Sequence, residues 1–265
     1  MILYPFIDVF WYPIYTFGLS LLVCFFVFLY MLKKLTVKYS FDMAIFMNTI
    51  LWYFISIFFF SRLFYVIWKW SDLKYIENAG EFFITTDYNF SLFWAIVGFI
   101  VVFFINLRLR REKLVKYIDW IVLSFLLVLS IWFIWALLWG QVYGSPTNYW
   151  IELTYTNPFS PVSSTPVFPL PALYALLFFI EFAILYILSM YIKVKWFIGH
   201  IWLIIFSLII LIFENFSGKH DIFNNLLFLN MNQILAIIFM IFSFYRLYKL
   251  SQISSKDTAV IIEHK

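Results

Sequence analysis

The chain has 265 residues, is 65% hydrophobic and only 12% charged, and carries a formal net charge of +4. This composition leaves no length for a separate soluble catalytic domain, so any chemistry must lie within a membrane-embedded bundle or at its rims. The positive charge gathers in loops flanking apolar runs, where it reports topology and anionic headgroups rather than nucleic acid.

Seven apolar runs follow in order, at about 15–32, 44–70, 90–106, 117–139, 170–192, 196–213 and 231–248. Each has about the 17 or more residues needed to cross a hydrocarbon core. They predict an all-α, polytopic membrane protein: a seven-helix transmembrane bundle with an outer-face arm at about 140–169, forming one integral membrane domain over residues 1–265. Lys33, Lys34 and Lys38 follow the first run, five basic residues the third, Lys193 and Lys195 the fifth, and Arg246, Lys249, Lys256 and Lys265 the last, fourteen of the eighteen in all. The positive-inside rule then puts the amino terminus outside and the carboxyl terminus in the cytoplasm.

The first run contains Cys24, the only cysteine, so neither an intramolecular disulfide nor a cysteine metal cluster can form. No metal or other cofactor is expected. Aromatic rather than basic residues precede this run and no clean small-residue cleavage site follows, which reads as a retained helix. In the second run, Arg62 sits in the outer half of the span. An arginine there costs energy unless it snorkels, finds a partner or faces a polar cavity. It could hold a lipid phosphate bidentately, or form a structural ion pair with Glu214 or Asp87.

The fourth run ends at Gly140, and the segment to 169 has no Lys or Arg and is rich in Pro, Ser, Thr and Asn. Its prolines discourage a continuous helix, which leaves a structured arm on the outer leaflet or a plain connector. In the fifth run Glu181 is a lone mid-span carboxyl, explained by protonation or a hydrogen bond to another helix. A proton relay would need more carboxylates at its depth, and Asp119 lies instead near the cytoplasmic end of the fourth run. Asn48, Asn106, Asn232 and Gln233 are read as hydrogen bonders between helices. His200 lies near the cytoplasmic entry to the sixth run, on the wrong side for outer-leaflet chemistry. The loop after that run carries Glu214, Lys219, His220 and Asp221, and His220 is either a base near neutral pH or a solvated loop histidine. Trp and Tyr crowd the span ends, as interfacial anchors do.

Several segments, kept in order, resemble the prolipoprotein diacylglyceryl transferases, seven-helix bacterial membrane enzymes. Pro13-Ile14-Tyr15-Thr16-Phe17-Gly18-Leu19 is similar to the family's first-helix segment ending in Tyr-Gly-Leu, and Ser61-Arg62-Leu63-Phe64-Tyr65-Val66 to its Gly-Arg-Leu-Gly-Tyr. Gly140-Gln141-Val142-Tyr143-Gly144 is similar to Gly-Glu-Leu-Tyr-Gly, and Leu173-Tyr174 to Gln-Leu-Tyr-Glu. Phe213-Glu214-Asn215-Phe216 resembles Phe-Glu-Phe-Phe-Arg, and Met231-Asn232-Gln233-Ile234-Leu235 resembles Met-Gly-Gln-Leu-Leu.

The resemblance implies transfer of diacylglyceryl from phosphatidylglycerol, or another anionic lipid, to the lipobox cysteine of a lipoprotein signal peptide in the cytoplasmic membrane. Such a reaction needs a phosphate clamp and a route to thiolate. Arg62 and Lys219 are candidates for the clamp and His220 for the base, while Tyr65, Gln141, Tyr143, Gly144, Glu214 and Gln233 are implied to line the site. The sequence also departs from the family. Its His-Gly-Gly falls on Phe93-Trp94-Ala95, its Gly-Arg-x-Gly-Asn on Trp132-Phe133-Ile134-Trp135-Ala136, and a further arginine on Ile210. A non-catalytic relative that binds lipid or signal peptide is therefore the first rival, and an unrelated transporter or channel the second.

Overall fold

Where they are described, the long apolar runs are mostly helical, because in lipid each N–H and C=O must find a partner within its own segment. A computed structural model describes residues 6–9, 12–39, 42–68, 92–140, 142–148, 151–156, 160, 162–192, 194–218 and 231–263. Among these, the elements are β1 (Phe6–Val9), β2 (Tyr12–Tyr15), α1 (Thr16–Tyr39), α2 (Ala44–Met47), α3 (Ile50–Trp68), α4 (Leu92–Leu109), α5 (Ile118–Trp139), β3 (Leu153–Thr154), β4 (Pro166–Val167), α6 (Leu170–Tyr191), α7 (Phe197–Phe213) and α8 (Met231–Glu263). The protein is an all-α, multi-pass membrane protein. Among the described residues, five stretches are long and apolar enough to cross a bilayer: Gly18–Val37, Ile118–Trp139, Leu170–Tyr191, Phe197–Phe216 and Gln233–Gln252. Shorter apolar stretches occupy Ile50–Leu63 in α3 and Val97–Leu109 in α4.

The chain divides into two compact units, residues 1–32 with 118–265, and residues 33–117. In the first, α5 packs on α6, α7 on α8, and α7 also touches α5 and α6. With no hydrophobic drive between helices in lipid, close packing and polar bridges hold such helices together. Ser130 Oγ on α5 donates to the Ala175 carbonyl on α6 at 2.9 Å, and Trp139 Nε1 donates to Thr16 Oγ1 at 3.0 Å, fastening the end of α5 to the start of α1. Aromatic rings fill the interior. Phe133 meets Tyr174 and Phe178 at 5.1 and 5.6 Å, Phe178 stacks on Phe206 at 5.7 Å, and Phe206 continues to Trp202 at 5.6 Å. β1 and β2 form an antiparallel hairpin with Phe6 opposite Tyr15 and Val9 opposite Tyr12.

In the second unit, α3 packs along α4. The apolar run at 44–70 is not one helix. Thr49 Oγ1 bonds back to the Ile45 carbonyl at 3.0 Å, a contact that bends helices, and a turn at 48–49 separates α2 from α3. Asn106 of α4 holds this bend, donating from Nδ2 to Thr49 Oγ1 at 2.7 Å and to the Tyr53 hydroxyl at 3.1 Å. It is the helix-to-helix hydrogen bonder read from the sequence. Arg110 pairs with Asp42 at 3.2 Å and caps the Ala44 carbonyl.

Helices α1 and α8 continue past their apolar runs, to Tyr39 and Glu263. The bilayer limits the apolar stretch and not the helix.

Candidate functional site

The rim where α5 ends, α6 begins and α7 ends gathers most of the segments singled out in the sequence. Gly140 stops α5 with a φ of 68°, and a Cβ there would lie 2.7 Å from both Ser160 Oγ and the Tyr155 ring. Only glycine takes that conformation without strain. Ser160 Oγ donates to the Gly140 carbonyl at 2.9 Å, and the Tyr155 hydroxyl donates to the Val142 carbonyl at 3.4 Å. Burial of Tyr155, 0% exposed, pushes its phenol up to about 12. The arm thus folds back onto the end of α5, with β3 and β4 pairing antiparallel within it.

Beyond the glycine, residues 143–146 form the centre of a small backbone weave. Gly144 bridges to Ser217, Ser145 N donates to the Phe216 carbonyl at 2.7 Å, and Gly218 N donates to the Tyr143 carbonyl at 3.1 Å. On the other side, Phe168 N donates to the Ser145 carbonyl at 3.0 Å. Gly144 sits where the strands are closest, for a Cβ would meet the Phe168 carbonyl oxygen and lie 2.7 Å from its Cβ. The rings of Phe168 and Phe216 stack at 4.9 Å across the weave.

Side chains then lock the helix ends to it. The Tyr174 hydroxyl on α6 donates to Glu214 Oε2 at 3.3 Å, in the 3-10 turn Glu214–Phe216. Gln233 on α8, 2% exposed, donates from Nε2 to the Leu211 carbonyl at 3.2 Å and to Asn215 Oδ1 at 3.0 Å. It satisfies one of the carbonyls that a helix end otherwise leaves unpaired. The rim therefore presents a carboxylate held by a phenol, beside a buried carboxamide and a backbone weave whose amides pair with its own carbonyls.

Of the residues predicted from the sequence, Tyr143, Gly144, Glu214 and Gln233 come together here. Gln141, Lys219 and His220 lie outside the described residues, as does Asp87. Arg62 belongs to the unit of residues 33–117, on α3, where it is 4% exposed beside Ser61. Tyr65 is on the same helix, and its side chain lies outside the described residues. Sequence reasoning passed over Tyr174 as a site residue, although it lay in one of the matched segments. Glu181 is buried at 2% exposure, and among the described residues its carboxyl oxygens have no hydrogen-bond partner. Also among the described residues, no group of three or more His, Cys, Asp or Glu is placed to hold a metal ion.

The family profile for prolipoprotein diacylglyceryl transferase matches residues 6–249. The chain belongs to that family. No curated protein matches it.

Three segments carry residues unlike those that the family resemblance leads one to expect. Phe133 falls where the family arginine is expected, and its ring packs between Tyr174 and Phe178. Trp132, beside it, meets Trp139 edge-on at 5.9 Å. Ile210 lies on α7 next to Leu211, whose carbonyl takes the Gln233 amide. Phe93, Trp94 and Ala95 are in α4, with side chains outside the described residues.

Proposed function

We propose that the protein transfers the diacylglyceryl group of phosphatidylglycerol to the cysteine thiol of a lipoprotein signal peptide. Family membership over residues 6–249 is the observation that carries this reading. The sulfur attacks the glycerol carbon bonded to the phosphate oxygen, that C–O bond breaks, and glycerol phosphate leaves with the electron pair. The thiol proton goes to a base. In residues 33–117 the group assigned to the donor phosphate is Arg62, with Tyr65 near it in sequence. In the other unit Lys219 is assigned to phosphate and His220 to the thiol proton, with Gln141, Tyr143, Gly144, Glu214 and Gln233 lining the rim. Preorganised donors of this kind stabilise a leaving phosphate without reorganising as charge develops.

We infer seven crossings, with α3 and α4 completing the five longer ones, and one integral membrane domain over 1–265. The amino terminus and the arm at 140–169 lie outside a prokaryotic cytoplasmic membrane, and the basic connectors lie inside. Such an orientation gives the rim access to lipid from the outer leaflet and to a translocated signal peptide.

A specific observation favours a second reading, a relative that binds lipid or signal peptide without turning over. Phe133 can neither clamp phosphate nor accept a proton, and its packing against Tyr174 and Phe178 fills the interior with rings. One assay decides. Purified protein is incubated with phosphatidylglycerol vesicles and a lipobox peptide, and mass spectrometry looks for the diacylglyceryl adduct. Adduct supports transfer; no adduct under conditions where an active transferase yields it, with peptide still bound, establishes the second reading.

A further inference from the structure

At the other end of the first unit, α7 and α8 meet through two pairs of residues, each pair one turn apart. Trp196 caps α7 in a left-handed conformation, φ 70°, and His200 follows it; Phe242 and Arg246 face them from α8. The Trp196 and His200 rings lie 5.7 Å apart, His200 meets Phe242 edge-on at 5.9 Å, and the Arg246 guanidinium lies over the Trp196 ring at 5.2 Å.

This interlocked group is well packed and poorly satisfied. Trp196 Nε1, His200 Nδ1 and Nε2, and Arg246 Nε are all buried, and among the described residues none has a hydrogen-bond partner. His200 is 3% exposed. Indole and guanidinium nitrogens only donate, and a neutral imidazole adds one more donor. The neighbouring carboxylate is already committed. Asp119 accepts Trp196 N through Oδ2 and Gly199 N through Oδ1, both at 2.8 Å. Against these donors the cluster supplies a single acceptor, the second imidazole nitrogen of His200, and so is short of acceptor oxygens.

We propose that Trp196, His200 and Arg246 bind the phosphate of an anionic phospholipid headgroup, at a place separate from the rim that carries Glu214. Lys195 and Lys249 are exposed close by in sequence and draw anionic lipid toward this end. Ile241, Tyr245 and Tyr248 leave a broad apolar face of α8 exposed, against which acyl chains lie. That face favours a lipid over a free phosphate ion, which shares the headgroup chemistry but has no use for the apolar surface. A guanidinium stacked on an aromatic ring keeps its edge free for phosphate oxygens.

The test uses the full chain in phosphatidylcholine nanodiscs titrated with phosphatidylglycerol, with bound lipid counted by native mass spectrometry. Trp196→Phe keeps an aromatic ring, though a smaller one, and removes the N–H, so it guards against a merely misfolded variant; Arg246→Gln and His200→Phe complete the set. Each is expected to lose one bound phosphatidylglycerol or to bind it about tenfold more weakly, with unfolding temperature unchanged in Trp196→Phe. Equal lipid counts and affinities in all three variants and the unmodified chain would overturn the proposal. So would displacement of that lipid by millimolar inorganic phosphate, which reassigns the cluster to a free ion. Tyr174→Phe, at the opposite rim, is expected to keep this lipid, so failure of the transfer reading and failure of this one are separable.

Discussion

The Tyr174 hydroxyl donates to Glu214 Oε2 at 3.3 Å, joining the start of α6 to the turn after α7. The bond fixes the carboxylate at the rim while the Tyr174 ring stays in the interior, stacked on Phe178 at 5.8 Å. Tyr174→Phe keeps the stack and removes the tether. We expect transfer to fall about tenfold and stability to fall by about 1.5 kcal/mol, the range for a hydrogen bond to a charged group. Adduct formation and thermal unfolding measured on one preparation check both numbers, and unchanged transfer would mean that the carboxylate needs no positioning.

Gly144→Ala tests the weave. The new methyl would press on the Phe168 backbone, which cannot rotate away, whereas a methyl at Gly18 meets nothing within 4 Å. Gly144→Ala should cost about 1–3 kcal/mol, as overpacking does, and should open the arm at 140–169 to proteolysis. Gly18→Ala should leave digestion unchanged.

The buried Tyr155 makes the arm sensitive to alkali. Its phenol is held up to about 12 by burial, above the ordinary value of 10.0, so the unfolded arm gives up that proton first as pH rises. The contribution of Tyr155 is therefore intact below about pH 10 and disappears as pH climbs toward 12. Comparing tyrosinate absorbance in the unmodified chain and in Tyr155→Phe isolates this group. A difference spectrum with its midpoint near 10 would show that the phenol is not buried.

Much of this organisation could be read from one-dimensional patterns. The runs at 117–139, 170–192 and 196–213 become α5, α6 and α7 with ends shifted by a residue or so, because an apolar stretch of bilayer length has little choice but helix. The break at 48–49 was hidden because Thr49 and Asn106 cooperate across 57 residues, and hydrophobicity does not register a hydroxyl bonded backwards. The meeting of Tyr143, Gly144, Glu214 and Gln233 was legible only through ordered motif resemblance. Asp119 shows the limit. Its two partners lie 77 and 80 residues away, and nothing near it in sequence marks it as the cap of another helix.

That cap is itself testable. Asp119→Ala removes two charge-assisted bonds from the first turn of α7 and should lower stability by about 1–3 kcal/mol. Asp119→Asn keeps one acceptor oxygen and should lose less. Unfolding midpoints in detergent order the three proteins, and equal midpoints would remove the cap from any account of how α7 begins.

Orientation can be read with a single thiol. Cys24 is buried, so an added cysteine at the exposed Thr165 of the arm supplies the reactive group. In intact cells Thr165→Cys should be labelled by a membrane-impermeant maleimide. Labelling only after the membrane is broken would invert the proposed topology.

The linked rings of Phe133, Tyr174, Phe178, Phe206 and Trp202 form one apolar column across α5, α6 and α7. A membrane potential is worth about 2.3 kcal/mol per charge per 100 mV, and a wet seam along the bundle would let protons dissipate it. Rings in contact along that line are the kind of close packing that keeps water out of such a seam.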